Sequence, residues 1–270
     1  MSRKIEHKTL LMNGYDIHFY VSGQTNTETI FFLHPAFSDH KVFNSQVDYF
    51  SKDFKVITID FIGHGMSKAA RSKDKIDASS LHLLKIMDLE EVNKAHLVGV
   101  SMGSLIAQFF ALEYPDKTRS LITLGGYNIN KPNKDIEKTQ RSSNISLIIS
   151  AIFSMDLFRR RVAKITCYTQ RGQDLFYESA RLFERKSFMV MSALQNIIKY
   201  RNIIDSPYPL LILTGEHDIT LAIKMAKEWH SEIGNTTLHM ISNAGHCANL
   251  DNPVEFNKVV KEFIDTNRGK

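Results

Sequence analysis

Through the first third of the chain, apolar residues come in short, strand-length runs. Lys8–Met12 and Ile17–Ser22 flank Asn13-Gly14, a dipeptide suited to the positive-φ turn of a tight hairpin. Thr29–Leu33 and Lys55–Ile59 are nearly unbroken apolar stretches, the pattern of strands buried on both faces. Between them Phe43–Phe50 has helical spacing. Strand and helix then alternate: Ala78–Leu89 is an amphipathic helix, Ala95–Val100 a strand, Ser104–Tyr114 a helix stopped by Pro115, and Thr118–Leu124 a strand. After Gly125-Gly126 the alternation stops. Ile145–Phe153, Leu157–Tyr168, Gln173–Phe183 and Phe188–Tyr200 all read as helices. It resumes with strand Leu210–Thr214, helix Ile219–Glu232, strand Thr237–Ile241 and helix Val254–Thr266. The pattern predicts an α/β fold, a mostly parallel twisted sheet with helices on both faces. The core is expected from residues 1–126 and 206–270, with residues 127–205 inserted above it as a helical segment.

Composition narrows the function classes without choosing one. The 270 residues are 43% hydrophobic and 23% charged, enough for one sizeable core. A formal charge of +5 with no dense basic block argues against nucleic acid; Arg159-Arg160-Arg161 reads as a solvated helix face. Cys167 and Cys247 are too few for a disulfide framework and too far apart in sequence for a metal pair. No apolar stretch approaches membrane-span length, and residues 1–8 do not resemble a signal peptide. A soluble, cytoplasmic protein is the expectation. No cofactor or metal site is expected, and the oligomeric state is left open.

Chemistry concentrates in Gly99-Val100-Ser101-Met102-Gly103, set between a predicted strand and a predicted helix. A serine lifted out of such a turn has a strained backbone, and side chains two residues either side would collide with neighbouring elements. A serine hydroxyl needs a base, and the base needs an orienting acid. His246 follows Ala244-Gly245 in a loop before the last helix, and Asp218 lies just past the strand ending at Thr214. In a parallel sheet both emerge at the same edge as Ser101.

These motifs resemble the α/β-hydrolase family, in the branch with a lid inserted after the sixth strand. The resemblance spans residues 8 to 267 and includes Leu33-His34-Pro35-Ala36-Phe37, similar to the family's oxyanion loop, and Asp60-Phe61-Ile62-Gly63-His64-Gly65-Met66-Ser67, similar to its Asp-x-x-Gly-x-Gly-x-Ser turn. It implies Ser101 as nucleophile, His246 as base and Asp218 as acid. The alternative acid position after the sixth strand holds Leu124-Gly125-Gly126-Tyr127, with no carboxylate, and Glu216 fits the family spacing less well than Asp218. It also implies an oxyanion hole from the backbone N–H of Met102 and one from the loop after His34. Pro35 stands where the family has glycine and carries no N–H, so the donor falls to Ala36, ahead of Phe37.

Other residues have plainer readings. His34 is expected to hold its loop by hydrogen bonding, His64 and Asp60 to organise their turn, His217 to point away, and Cys247 and Trp229 to pack. Residues 127–205 carry 14 Lys and Arg against 7 Asp and Glu, which could attract an anionic substrate but also suits solvated helix faces. Phe158, Phe176, Phe183 and Phe188 suggest either an apolar acyl or aromatic pocket or simple packing of the insertion. The function expected is hydrolysis of a small carboxylic ester or related acyl compound through an acyl-Ser101 intermediate. Carbon–carbon, lactone or thioester cleavage on the same triad remains the alternative, as does a small-molecule sensor with slow turnover.

Overall fold

The computed structural model describes residues 5–12, 14–68, 73–131 and 150–268. Eight strands form one sheet: β1 (Glu6–Met12), β2 (Tyr15–Ser22), β3 (Thr29–Leu33), β4 (Lys55–Ile59), β5 (Ala95–Val100), β6 (Thr118–Leu124), β7 (Asp205–Gly215) and β8 (Gly234–Ile241). Their order is β1-β2-β4-β3-β5-β6-β7-β8. The pairs β1/β2 and β2/β4 are antiparallel, and all later pairs are parallel. Asn13 of the expected hairpin turn lies outside the described residues; Gly14 beside it has φ +88°.

β3 and β5 are buried along their whole length, because helices cover both faces of the sheet. Alternate residues feed two separate cores. Phe31, Leu33 and Leu97 join one, while Ile30, Phe32, Val98 and Val100 join the other. The helices around the sheet are α1 (Asn44–Phe50), α2 (Ser79–Leu89), α3 (Met102–Glu113), α7 (Thr220–Glu232), α8 (Ala248–Asp251) and α9 (Pro253–Thr266).

Between β6 and β7 the regular elements among the described residues are all helical, as the lapse of the alternation predicts. α4 (Met155–Thr166) is capped by the Ser154 hydroxyl and α5 (Gln170–Ser179) by that of Thr169. Most of the expected helix Ile145–Phe153 lies outside the described residues, although Ser150–Phe153 is helical. The single helix expected over Phe188–Tyr200 is instead a short α6 (Ser187–Met191) followed by a 3-10 turn over Ser192–Ile197. The Ser192 hydroxyl donates back to Met189 O (2.8 Å), a local bond that competes with helix continuation. Strand β7 begins five residues earlier than Leu210, taking in Pro207 and Pro209 where its register with β8 is irregular. Among the described residues no helix is long and apolar enough to cross a membrane.

Candidate active site

Ser101 sits between β5 and α3 with φ +51° and ψ −115°, a conformation that costs a non-glycine residue of order 1–3 kcal/mol. The surroundings hold it there. Its N–H donates to Leu124 O on the neighbouring strand (2.8 Å), and its carbonyl accepts from the Ser104 hydroxyl (2.6 Å). A Cβ on Gly99 would collide with the backbone of Gly103, and one on Gly103 with Leu33 O. Both glycines are therefore required by close backbone approach, and the second lets the loop after β3 lie against the start of α3.

His246 reaches this serine from the loop after β8. Its Nε2 lies 2.9 Å from Ser101 Oγ, and its Nδ1 lies 2.8 Å from Asp218 Oδ1. An ionised carboxylate only accepts, so Asp218 fixes the proton on Nδ1 and leaves Nε2 to accept from the serine hydroxyl. The Asp218 side chain is fully buried, and its Oδ1 also accepts from the Ile219 N–H (2.6 Å). Burial by itself would depress the histidine, but the charge and hydrogen bond of Asp218 outweigh it and raise the His246 pKa above its ordinary value. Glu216 does not enter this arrangement: it is half exposed and accepts from the Asn243 N–H (2.9 Å).

The glycine at the alternative acid position has a structural reason of its own. Gly125 has φ +63°, and a Cβ there would sit 2.7 Å from His246 Cε1 and 2.8 Å from its Nδ1. A side chain at that position would press on the imidazole. The sequence offered only the missing carboxylate, because the clash involves a residue far along the chain.

The loop after β3 carries Ala36. Among the described residues, neither the Ala36 nor the Met102 N–H donates to a protein acceptor. His34, wholly buried, ties this loop to the end of β4: its Nδ1–H donates to Pro35 O (2.8 Å) and its Nε2 accepts from the Phe61 N–H (3.1 Å). Burial lowers its pKa to about 4, so it stays neutral. Asp60 anchors the next turn, accepting from the Met66 N–H (2.9 Å) and from both the N–H and Nδ1 of His40 (2.9 and 2.8 Å). Burial pushes Asp60 upward, but the His40 and backbone bonds bring its pKa down to about 2. His217 turns aside and stacks on Tyr168 with centroids 3.9 Å apart.

The four phenylalanines singled out between residues 127 and 205 pack toward the sheet. Phe158, Phe176 and Phe183 are buried in the same cluster as Phe32 of the sheet, and Phe37 of the loop after β3 meets Phe158 and Phe183 edge-on at 5.2 Å. Several of the insertion's basic residues are already engaged. Arg159 donates to Ala180 O and Phe183 O, Arg185 donates to Ala151 O and Ile152 O, and Arg160 and Arg181 pair with Asp156 and Glu178. One neighbourhood was not legible in the sequence. Cys167 and Cys247, 80 positions apart, are buried side by side as free thiols, and burial together with the neighbouring Cys167 thiol pushes the Cys247 pKa well up.

A strained serine, a histidine and a buried aspartate thus meet at the carboxyl edge of a largely parallel sheet in an α/β protein. A family model described as alpha/beta hydrolase fold matches residues 28–146. The chain is 25% identical over 267 residues to an (E)-2-((N-methylformamido)methylene)succinate hydrolase of Acinetobacter baylyi, covering 96% of this chain and 98% of the relative. Two solved structures share the fold. One comes from work on carboxylesterases of Nitrososphaera gargenis (TM-score 0.80, 17% identity, 98% of this chain and 99% of that one). The other is a 2-hydroxy-6-oxo-6-phenylhexa-2,4-dienoate hydrolase of Rhodococcus (TM-score 0.78, 17% identity, 98% and 100%). The chain has the α/β-hydrolase fold.

Proposed function

We propose that this protein is a serine hydrolase that cleaves a small carboxylic ester or related acyl compound through an acyl-enzyme on Ser101. The observation that carries this reading is the imidazole of His246 bridging Ser101 Oγ at 2.9 Å and Asp218 Oδ1 at 2.8 Å. In the first half-reaction Nε2 takes the hydroxyl proton as Oγ attacks the substrate carbonyl. The resulting imidazolium is stabilised by Asp218, and the oxyanion is received by the Ala36 and Met102 N–H groups. Each such donor contributes about 3 kcal/mol to transition-state stabilisation. Collapse of the tetrahedral adduct expels the alcohol, which takes the proton from Nε2. Water then repeats the sequence on the acyl-serine, with His246 again acting first as base and then as acid.

In this reading residues 1–126 and 206–270 form the catalytic core. Residues 127–205 form a lid that shapes the acyl site, and the substrate is a small molecule. The test is a panel of p-nitrophenyl esters of increasing acyl length, with a lactone and a thioester beside them. Wild-type protein is expected to hydrolyse at least one and to react with a fluorophosphonate at Ser101. Ser101→Ala is expected to lose both, by about 10⁴-fold or more in turnover. Wild-type protein inert to the probe and to the whole panel would remove the nucleophile from the reading.

A further inference from the structure

The helical insertion and the histidine loop meet at a single carboxylate. Asp251, the last residue of α8, accepts from the Gly245 N–H at 2.9 Å, immediately before His246. From the turn between α4 and α5 it accepts the Tyr168 N–H (2.8 Å), the Thr169 N–H (2.8 Å) and the Thr169 hydroxyl (2.7 Å). Four donors saturate the acceptor sites of one carboxylate. They come from two segments that lie far apart in sequence, so the carboxylate acts as a rivet between them.

The same junction has supporting contacts. The Cys247 N–H donates to Thr166 O (3.0 Å), so the backbone on both sides of His246 is tied to this corner. Tyr168 stacks on His217, the residue before Asp218. The fit is tight: a Cβ on Gly245 would lie 3.0 Å from Tyr168 N, and one on Gly172 would collide with Asp251 Oδ1. None of the four donors is on the imidazole. Asp251 therefore acts on where the loop runs, while Asp218 supplies the charge and hydrogen bond felt by the ring.

We infer that Asp251 is a positioning residue, fastening the α4–α5 turn to Gly245 and thereby aiming His246 at Ser101. The insertion is then part of the base's mounting as well as a cover for the site. This inference rests on the serine-hydrolase reading. A base displaced by about 1 Å can cost up to 10²-fold in rate, so loosening this rivet should be read in turnover rather than in binding.

The experiment compares Asp251→Asn with wild type on the best p-nitrophenyl ester across pH. The amide keeps the shape but places an NH2 against two of the donors. Turnover is expected to fall about 10- to 100-fold with KM changed less than about threefold, and the fluorophosphonate rate at Ser101 to fall in parallel. The acidic limb of the pH profile should also move down, toward an ordinary histidine, as the His246–Asp218 contact loosens. Gly172→Ala, which pushes on the same carboxylate from the insertion, should reproduce these changes more weakly and keeps the test alive if Asp251→Asn does not fold. A rise in KM alone, or a lower rate with an unmoved pH profile, would overturn the inference. Wild-type protein that reacts normally beside an unimpaired Asp251→Asn sinks this inference only. Wild-type protein that fails to react sinks the serine-hydrolase reading as well.

Discussion

Among the described residues, two serine–histidine–carboxylate chains lie at opposite ends of the same strand. At the carboxyl end of β5, Ser101 bonds to His246 and His246 to Asp218. At its amino end, Ser120 Oγ lies 2.8 Å from His96 Nδ1, and His96 Nε2 lies 2.9 Å from Glu28 Oε1. The distances are interchangeable, but the environments are not. Ser120 is fully buried within β6, whereas Ser101 is only partly buried on a strained turn. Glu28 shares its charge with Arg268 at 3.0 Å. Burial then prevails over Glu28 and lowers the His96 pKa, while Asp218 prevails over burial and raises that of His246. Hydrogen-bond geometry alone does not make a nucleophile. Access and an acid not shared with an arginine separate Ser101, the proposed nucleophile, from Ser120.

The largest expected effects break one chain and spare the other. Asp218→Asn should lower turnover about 10⁴-fold by leaving the wrong histidine tautomer. Glu28→Gln should leave ester hydrolysis within about twofold, because that chain meets no substrate. Equal losses in the two variants would erase the distinction. Ser120→Ala should likewise retain fluorophosphonate labelling at Ser101, read by mass spectrometry of the labelled peptide.

Next in size is Gly125→Ala. The new methyl would press on the His246 ring and leave φ +63° strained, so turnover should drop about 10- to 100-fold with the fold intact by circular dichroism. Activity equal to wild type would mean the imidazole is not held where the geometry has it.

The two histidines should also pull stability in opposite directions with pH. His96 resists protonation in the native state, so acidification below the ordinary 6.5 favours the unfolded chain. His246 has a raised native pKa, so the stability it adds is present below 6.5 and is lost as pH rises through that higher value. His96→Gln should therefore flatten the fall in melting temperature on acidification, and His246→Gln should flatten the fall on alkalinisation. Turnover needs neutral His246 and should rise with pH through a midpoint above 6.5.

The smallest effect is thermodynamic. Glu28→Gln keeps a hydrogen bond to His96 but loses the ion pair with Arg268, costing about 0–1 kcal/mol in denaturant unfolding.

Most of the sheet was legible from local pattern. β3 to β6 are each short and apolar, and their neighbours are set off by recognisable breakers such as Pro115. The ends of β7 and the 3-10 turn at Ser192–Ile197 were not, because a strand irregularity absorbs Pro207 and Pro209 and a serine side chain competes with the helix. The grouping of Ser101, His246 and Asp218 was legible because the proposed chemistry demands those residue types at strand ends. The Ser120–His96–Glu28 chain, the Asp251 junction and the contact between Cys167 and Cys247 were not, since each joins segments with no shared motif.

By itself the sequence determined the alternation that builds the sheet, the glycines of the serine turn, and the three residue types at its carboxyl edge. Those follow from local propensity and from what a strained turn can accommodate. Only the tertiary structure revealed the buried Ser120–His96–Glu28 chain, why Gly125 must lack a side chain, and where the insertion is fastened. Those depend on which surfaces the packed sheet brings within a few ångströms of each other, and no local pattern encodes that distance.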